Sequence, residues 1–279
     1  MKVICISNQK GGTGKTTLCA LLSYSLYKLG YRVLMVDLDP QAHLSSFFIK
    51  VNQLDYHPGF LELARGQKFK IHALSKDKKL CLIPSKLGYL VEAYKGSLPT
   101  VDSHAIDRRF RTEPVIQKFD YVILDTPPEL FAPTVWAFYA SNFLLIPVNY
   151  EELSLMGSKI LIKDVLPDVF AVKDLKVLGL VFINVVARVS SSSLTYISDR
   201  LKDFIRNNIP KVFHSYFYDP PVFNSVIHRR SSLRDLMYRP KRRSIPLERI
   251  FNSDHELQSE SMTFANEFIS RINNFRGLS

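Results

Sequence analysis

Residues 8–17, read as NQKGGTGKTT, have the spacing of a loop that binds phosphate groups. The loop follows the apolar run VICIS and precedes a stretch with helical spacing over residues 15–29. Glycines let the backbone curl so that successive N–H groups point at phosphate oxygens, and the positive end of the following helix adds to this attraction. We therefore predict that the loop binds nucleotide phosphates through Gly11, Gly12, Thr13 and Gly14.

Three side chains at the end of this loop are expected to act separately on the nucleotide. Lys15 neutralises the β- and γ-phosphates, Thr16 places its hydroxyl on Mg²⁺, and Thr17 contacts the α-phosphate. The full spacing between a strand and a helix is specific for this chemistry. The sequence thus predicts a site for ATP and Mg²⁺.

Acidic residues follow two further apolar runs. VLMVDLDPQ places Asp37 at the carboxyl end of a predicted strand, and FDYVILDTPPEL does the same for Asp125. Adjacent parallel strands deliver their carboxyl ends to the same crevice, so Asp125 is predicted to hold a Mg²⁺-bound water across from Thr16. Asp37 is predicted to support the metal and its waters through hydrogen bonds. The alternative for Asp37 and Asp39 is that both carboxylates cap the following helix.

An additional lysine, Lys10, makes the segment KGGTGKTT resemble the KGGxGK[ST] signature of the ParA/MinD superfamily. In that family the extra lysine reaches across a dimer to the nucleotide of the partner, and the resemblance implies this role for Lys10. A charge delivered in trans would make hydrolysis depend on dimerisation. DLDPQ resembles the family's DxDPQ segment and implies that Asp39 orients the attacking water; His43 departs from the family pattern and is assigned no chemistry.

Later segments also resemble that family, with less specific motifs. The residues after Asp125, Thr126, Pro127 and Pro128, resemble its γ-phosphate-sensing segment, and LLIPVNYEELSLMG resembles a segment of its nucleotide-sandwich dimer. Glu151 there either contacts Lys10 or ribose across the dimer or is a charge at a helix N-terminus. VFINVV implies that Asn184 contacts the adenine base. The second base-contact loop is expected within HSYFYDPPVF, where Pro220 and Pro221 frame the base.

Positive charge is concentrated in residues 228–243, which hold seven basic residues and one acid and carry +6 of the formal net charge of +11. Such a cluster can neutralise several phosphates and so bind duplex DNA in a salt-sensitive, sequence-independent way. ParA-type partition ATPases bind nonspecific DNA with basic residues in their C-terminal part, and the resemblance fits this cluster. A solvated basic face and an anionic lipid surface are the alternatives. The predicted DNA-binding residues are Arg229, Arg230, Arg234, Arg239, Lys241, Arg242 and Arg243.

The stretch SMTFANEFISRINNF predicts a terminal helix over about residues 255–274, with an apolar face that includes Phe264, Phe268 and Ile272. MinD-type proteins end in an amphipathic membrane helix, so a MinD-like membrane-associated positioning ATPase is the competing function. Membrane anchoring requires a more basic polar face than this one. Packing of the helix on the sheet is therefore favoured, and no stable membrane association is expected.

Short apolar runs that alternate with helical stretches must position these residues. This order predicts an α/β fold, a doubly wound and mostly parallel sheet with helices on both faces, in one domain over residues 1–279. Residues 38–79 are the least regular part, and their lysines are interpreted as solvated surface. The predicted strands are 3–7, 32–37, 80–84, 121–125, 143–148, 177–184 and 211–216. The predicted helices are 15–29, 104–117, 131–140, 153–166, 194–207 and 222–237.

Composition excludes several classes of protein. With 46% hydrophobic residues, 11 glycines and 3 cysteines, the chain of 279 residues is neither disordered, collagenous nor built on disulfides. Cys5, Cys19 and Cys81 lie in apolar surroundings without metal-ligand spacing and are interpreted as core residues. The start of the chain reads as a buried strand rather than a signal peptide, and no apolar run reaches the ~20 residues of a membrane span. A cytoplasmic, nucleoid-associated protein is expected.

The sequence is thus identified as resembling a short ParA-type partition ATPase without an N-terminal helix-turn-helix. The resemblance implies a homodimer that forms on ATP binding, binds nonspecific double-stranded DNA and hydrolyses ATP slowly to segregate a plasmid or chromosome. It also implies a ParB-like centromere-binding protein that stimulates hydrolysis. A tyrosine autokinase would carry a Tyr-rich tail, yet no Tyr follows Tyr238. A ligase like dethiobiotin synthetase would not need the basic cluster, and an iron–sulfur reductase would need differently placed cysteines.

Overall fold

A computed structural model of the chain describes residues 1–86, 102, 104–150, 152–233 and 246–275. One eight-stranded sheet has the order β3-β4-β2-β5-β1-β6-β7-β8. Neighbouring strands are parallel except for the antiparallel pair β3 and β4. The strands are β1 Lys2–Ile6, β2 Val33–Asp37, β3 His72–Ala73, β4 Leu80–Ile83, β5 Tyr121–Asp125, β6 Phe143–Val148, β7 Lys176–Val185 and β8 Val222–His228.

Helices connect these strands and cover both faces of the sheet. A π-helical turn, Leu161–Val165, joins α6 to α7, and two 3₁₀ helices span Val51–Tyr56 and Lys211–Tyr216. The α-helices described are α1 Lys15–Lys28, α2 His43–Ser46, α3 Phe60–Ala64, α4 Ala105–Thr112, α5 Ala132–Ala140, α6 Glu152–Ile160, α7 Leu166–Phe170, α8 Ser191–Asn208, α9 Pro246–Ser253 and α10 His255–Asn274.

Alternate residues of the strands pack into two hydrophobic cores, one on each face of the sheet. In β1, Val3 and Cys5 belong to one core, and Ile4 and Ile6 belong to the other. A strand that is covered on both faces has no polar face, which is why these strands read as continuous apolar runs. The predicted doubly wound, mostly parallel α/β fold is confirmed. All three cysteines are buried, as predicted.

Two predicted elements are wrong. Residues 211–216 form a 3₁₀ helix instead of a strand, because this tighter turn brings residues three apart to one side. The rings of Phe213 and Tyr216 both pack on Phe170, with centroid separations of 5.6 and 4.6 Å. Residues 222–228, predicted as helix, form β8, whose β-branched side chains suit a strand paired with β7. The short strand β3 had no sequence signal.

Helix α10 packs its apolar face on the sheet. Phe264 and Phe268 are fully buried, and Ile272 is almost so. Arg271 is buried as well, and its guanidinium donates to the backbone oxygens of Leu178, Pro220 and Val222 at 2.7 to 2.8 Å. These bonds fasten the helix to β7, to β8 and to the turn before β8. The predicted amphipathic face is therefore occupied by the protein's own core.

No helix in the part of the chain that the structure describes has the length and apolar character that crossing a membrane requires.

Candidate functional site

The loop between β1 and α1 carries two glycines in the left-handed region of backbone conformation. Gly12 has φ +75° and Gly14, the N-cap of α1, has φ +91°. A Cβ on Gly14 would lie 3.0 Å from Asn184 Nδ2 and 3.0 Å from a methyl of Ile183. Only glycine combines this φ with so close an approach of β7. The loop and the end of β7 therefore form one surface.

Lys15 is held inside this loop by the loop's own carbonyl groups. Its side chain is buried, and Nζ donates to the backbone oxygens of Asn8 at 3.2 Å and Lys10 at 3.0 Å. Burial lowers the pKa of Lys15, while the charges of Asp125 and Asp39 oppose this change. The ammonium group thus lies at the start of α1, where an entering phosphate offers it a stronger, charged acceptor than a carbonyl group.

Strand register brings the predicted carboxylates to one edge of the sheet. Asp37 is the register partner of Asp125 across β2 and β5, and Ile6 at the end of β1 is also paired with Asp125. The phosphate loop begins directly after Ile6. The carboxyl ends of three neighbouring strands therefore meet the loop, as the parallel arrangement predicted.

Asp125 is fully buried, and both carboxylate oxygens have no hydrogen-bond partner among the residues that the structure describes. Burial raises the pKa of Asp125 well above its usual range, and the nearby carboxylates of Asp37 and Asp39 raise it further. The Thr16 hydroxyl, which lies near the carboxylate without reaching hydrogen-bond geometry, and the charge of Lys15 lower this pKa. A buried carboxylate without a partner is costly unless a cation or a donor approaches it. This oxygen pair is suited to a hard cation that keeps its waters.

Asp37 has a different environment. Its carboxylate accepts from the backbone N–H of Asp39 at 3.1 Å, from the N–H of Ser45 at 2.8 Å and from the hydroxyl of Ser45 at 2.6 Å. Burial raises the pKa of Asp37 to about 7, although the Ser45 hydroxyl lowers it. Asp37 thus ties the loop after β2 to helix α2. Its role at a metal remains a prediction.

Asp39 lies at the wall of the cleft that the phosphate loop borders. The side chain is 6% exposed, and its Oδ1 accepts from the backbone N–H of Gln41 at 2.8 Å. Burial raises the pKa of Asp39, and the bond from Gln41 lowers it. A carboxylate whose pKa is raised is a stronger acceptor for a proton of water. Asp39 therefore presents to the cleft a carboxylate that is more basic than an exposed one.

The cleft has a volume of about 1010 Å³. This is at the upper end of the usual range of roughly 300–1,000 Å³ for small-molecule sites. It brings together the whole predicted phosphate loop from Gly11 to Thr17, Asp39 and Asn184. Glu151 lies outside the described residues. Pro128 of the predicted γ-phosphate-sensing segment also borders it. Other residues that border it, which the sequence did not single out for this cleft, are Pro40, Gln41, His43, Phe47, Glu129, Phe131, Asn149, Arg229, Arg230 and Leu233.

Lys10 is held at the edge of the loop by helix α6. A Cβ on Gly157 of that helix would lie 2.9 Å from Lys10 Cβ and 2.7 Å from Asn8 Oδ1. Asn8 in turn donates through Nδ2 to the backbone oxygen of Pro147 at the end of β6. Because Gly157 has no side chain, helix α6 packs closely against Asn8 and Lys10. This contact fixes the backbone of Lys10.

The first two arginines of the basic cluster lie at the nucleotide-sized cleft. Arg230 forms ion pairs with Glu256 and Glu260 of α10, the second at 2.7 Å. Arg229 is exposed at the mouth of the cleft, and its backbone N–H donates to the oxygen of Val185. The remaining predicted DNA contacts, Arg234, Arg239, Lys241, Arg242 and Arg243, lie outside the described residues.

The expected base-contact loop was misplaced. Pro220 and Pro221 lie before β8, at the opposite end of that strand from the cleft, and neither borders it. The segment after β8, which includes Arg229 and Leu233, borders the cleft instead. The β-branched and aromatic residues of VFNSVIH, directly after Pro221, were the signal that would have identified β8 and so placed its carboxyl end at the site.

Among the described residues, no group of three His, Cys, Asp or Glu side chains could hold a metal ion by itself. Mg²⁺ in nucleotide sites is usually bound by one or two protein oxygens together with substrate phosphates and waters. Thr16 at the start of α1 and the unpartnered carboxylate of Asp125 fit that pattern.

Comparison with known proteins identifies proteins of similar sequence. A family model described as an AAA domain matches residues 1–169, more than half of the chain. Sporulation initiation inhibitor protein Soj of Bacillus subtilis is 34% identical over 158 residues, which cover 56% of this chain and 61% of Soj. The match therefore spans less than two thirds of that relative.

Solved structures extend the likeness to the rest of the fold. The structure of pNOB8 ParA bound to nonspecific DNA has a TM-score of 0.79 at 23% identity, over 98% of this chain and 99% of that one. Cobyrinic acid a,c-diamide synthase from Mycobacterium smegmatis, solved with an ATP analog and magnesium, has a TM-score of 0.60 at 28% identity, over 72% and 82% of the two chains.

Proposed function

This chain belongs to the ParA/MinD superfamily of P-loop ATPases, and we propose that it is a partition ATPase that binds ATP and Mg²⁺, dimerises around the nucleotide and then binds nonspecific DNA. Hydrolysis of ATP returns it to a state that releases DNA. Nucleotide thus sets how long the protein occupies DNA, because the two nucleotide states differ in their affinity for it.

One observation carries this proposal. The phosphate loop and Asp39 border a cleft of about 1010 Å³ at the carboxyl edge of a parallel sheet. The buried, unpartnered carboxylate of Asp125 ends the neighbouring strand beneath it, close to Lys15 and Thr16. The loop supplies N–H groups and Lys15 for phosphates, and the buried carboxylate supplies the charge that a divalent cation needs. This combination supports a nucleoside triphosphate with its metal as the substrate.

Mg²⁺ would be held by the hydroxyl of Thr16 and, through water, by Asp125, with Asp37 supporting those waters. When bound, it neutralises charge on the β- and γ-phosphate oxygens. Lys15 leaves its carbonyl partners to pair with the same phosphates, and Asp39 orients the attacking water. The Lys10 of a second copy neutralises charge that develops on the transferred phosphoryl group. Hydrolysis then requires the dimer.

We propose that the basic residues of segment 228–243 bind DNA, except where their side chains are used at the nucleotide cleft. Arg230 is engaged by Glu256 and Glu260, so it contributes to DNA binding less than the other arginines. The structural neighbour that binds nonspecific DNA supports the partner class. A ParB-like centromere-binding protein is proposed as the partner that stimulates hydrolysis. The proposed location is the cytoplasm, on the nucleoid.

The test of this function compares DNA and anionic vesicles as targets. The protein is mixed with random-sequence duplex DNA or with vesicles of phosphatidylglycerol, each with ATP, ADP or no nucleotide, in Mg²⁺ buffer. We expect retention on DNA with ATP and weak retention in the other two states. Vesicle binding with ATP and without DNA binding would overturn the proposal in favour of a membrane-positioning ATPase. The buried apolar face of α10 makes that outcome unexpected.

Replacement of Lys15 by Ala is expected to weaken ATP binding by roughly 10- to 100-fold. A hydrogen bond to a charged partner is worth about 1.5–3 kcal/mol, which corresponds to this factor when one such bond is lost. Titration with a fluorescent ATP analogue measures the affinity, and a sizing column with ATP measures the dimer.

Lys28→Ala is the matched control, because Lys28 is exposed in the last turn of the same helix. It should bind ATP and dimerise like the unaltered protein. Normal ATP-dependent dimers of the Lys15→Ala variant would reject the assignment of the phosphate loop.

A further inference from the structure

Two segments together account for the whole formal net charge of the chain. Residues 65–79 hold six basic residues and one acid, a balance of +5, and residues 228–243 carry +6. The formal net charge is +11, so the remaining residues are balanced. The proposed function uses the second segment and leaves the first unexplained.

The first segment and the described start of the second, residues 228–233, lie at opposite edges of the sheet. Strand β3 lies within residues 65–79 and forms one edge, whereas β8 forms the other edge and leads into residues 228–243. The charge of the first segment is therefore a separate feature and not an extension of the cluster near the nucleotide cleft. We call the exposed lysines of the first segment, Lys68, Lys70, Lys76 and Lys78, the β3 basic surface.

An alternating pattern of partly buried and exposed residues directs the side chains of Lys68 and Lys70 to solvent. Phe69 and Ile71 pack against the hydrophobic core, and Lys68 and Lys70 between them are exposed. The residues around them are anchored, since Lys70 donates its backbone N–H to the oxygen of Pro58. In an extended chain, side chains two residues apart are separated by roughly 6.6 Å. This is about twice the ~3.4 Å axial step between phosphates on one DNA strand.

The other two lysines are presented by a tight turn. Asp77 accepts from the hydroxyl of Ser75 at 2.6 Å and from the backbone N–H of Lys79 at 3.2 Å, and these bonds fix the turn between β3 and β4. The acidic residue of the segment is thus used for backbone structure. Lys76 and Lys78 flank it and are exposed.

The β3 basic surface is not neutralised locally. Within the described parts of the chain, none of its four lysines forms an ion pair. Burial lowers the pKa of His72 to about 4, and the charge of Lys70 contributes to that change. The neighbouring histidine is therefore neutral near pH 7 and adds no charge of its own. Because no carboxylate of the described residues pairs with the four lysines, their field is available to an anionic partner.

Protection of an exposed strand edge is the other use of such lysines, and the geometry does not match it. Lysines that protect an edge lie on the edge strand itself. Here β3 consists of His72 and Ala73, and all four lysines lie in the flanking loop and turn. The segment also exposes no large hydrophobic side chain, which a membrane or a protein partner would use as an anchor.

We propose that the β3 basic surface is a second contact for the phosphate backbone of duplex DNA, at the opposite sheet edge from Arg229 and Arg230, which follow β8. This inference rests on the proposed DNA-binding function. Lysines at this surface act as point charges that release counterions without reading bases. The contact adds affinity and salt dependence and no sequence preference.

The test replaces all four lysines of this surface by Gln and measures binding to random-sequence duplex DNA with ATP at several salt concentrations. We expect weaker binding and a shallower dependence of log K on log salt, by about 0.9 for each lysine that contacts a phosphate. ATP turnover without DNA and ATP-dependent dimerisation should not change, because the surface lies outside the cleft.

The matched control replaces four exposed lysines elsewhere, Lys28, Lys118, Lys163 and Lys211, by Gln and so removes the same charge. Its salt dependence should be closer to that of the unaltered protein. An equal change in both variants would assign the effect to net charge and overturn the inference. So would an unchanged slope for the test variant, or its selective loss of binding to anionic vesicles. Absence of DNA binding by the unaltered protein would instead overturn the proposed function.

Discussion

Replacement of Asp39 by Ala is expected to lower the rate of ATP hydrolysis by about 10²- to 10⁴-fold, the range that a positioned acid or base contributes. ATP binding should survive, because the phosphate loop and Lys15 are unchanged. The variant should accumulate as an ATP-bound dimer that remains on DNA. Phosphate release measures turnover, and retention on DNA after ATP is diluted measures the trapped state.

The structure limits what else this change can do. The backbone N–H of residue 39, not its side chain, donates to Asp37, so the tie between Asp37 and the loop persists in the variant. The side chain accepts one bond, from Gln41, and Asp39→Asn keeps an oxygen for it. The exposed Asp203 of α8 provides the matched Asp→Ala control. Turnover of Asp39→Ala equal to that of Asp203→Ala would remove Asp39 from the mechanism.

The fold was predictable where the sequence pattern is physically unambiguous. Strands β5 and β6 have the predicted limits, because continuous apolar runs between polar residues occur only where both faces of a sheet are covered. Residues 211–216 have strand-forming composition, but contacts with Phe170 decide their conformation. Contacts between residues distant in sequence override the local strand propensity there. Such contacts cannot be predicted from a local sequence pattern.

The site was predictable in its phosphate and carboxylate parts. Gly14, Lys15 and Asp39 lie around one cleft because parallel strands, which the alternation of strands and helices predicted, bring their carboxyl ends to the same edge of the sheet. The positions of Arg229 and Arg230 were not predictable from the sequence. Their composition predicted DNA contacts, and only the register of β8 reveals that both border the cleft and that Arg230 pairs with α10. Charge in a sequence does not indicate which charges are already paired.

Loss of the Arg271 side chain is expected to destabilise the protein by about 3–5 kcal/mol, the usual cost of removing one partner from a buried ionic network. The side chain is 3% exposed and lies over the ring of Phe223 at 3.8 Å. Without it, the backbone oxygens of Leu178 and Val222 and the carboxylate of Glu267 lose donors in a buried region. Urea unfolding of Arg271→Ala measures this loss as a lower midpoint.

The same measurement separates a packed terminal helix from a detachable one. Arg249 of α9 is exposed, and Arg249→Ala should change the free energy of unfolding by less than about 0.5 kcal/mol. If α10 were held loosely, ready to bind a lipid surface, Arg271→Ala would behave like this control, because an undocked arginine is solvated in either state. A large difference between the two variants means that release of α10 would expose Phe264, Phe268 and three carbonyl groups at once. That cost opposes a membrane role for the helix and leaves it as part of the platform on which β8 and the cleft are built.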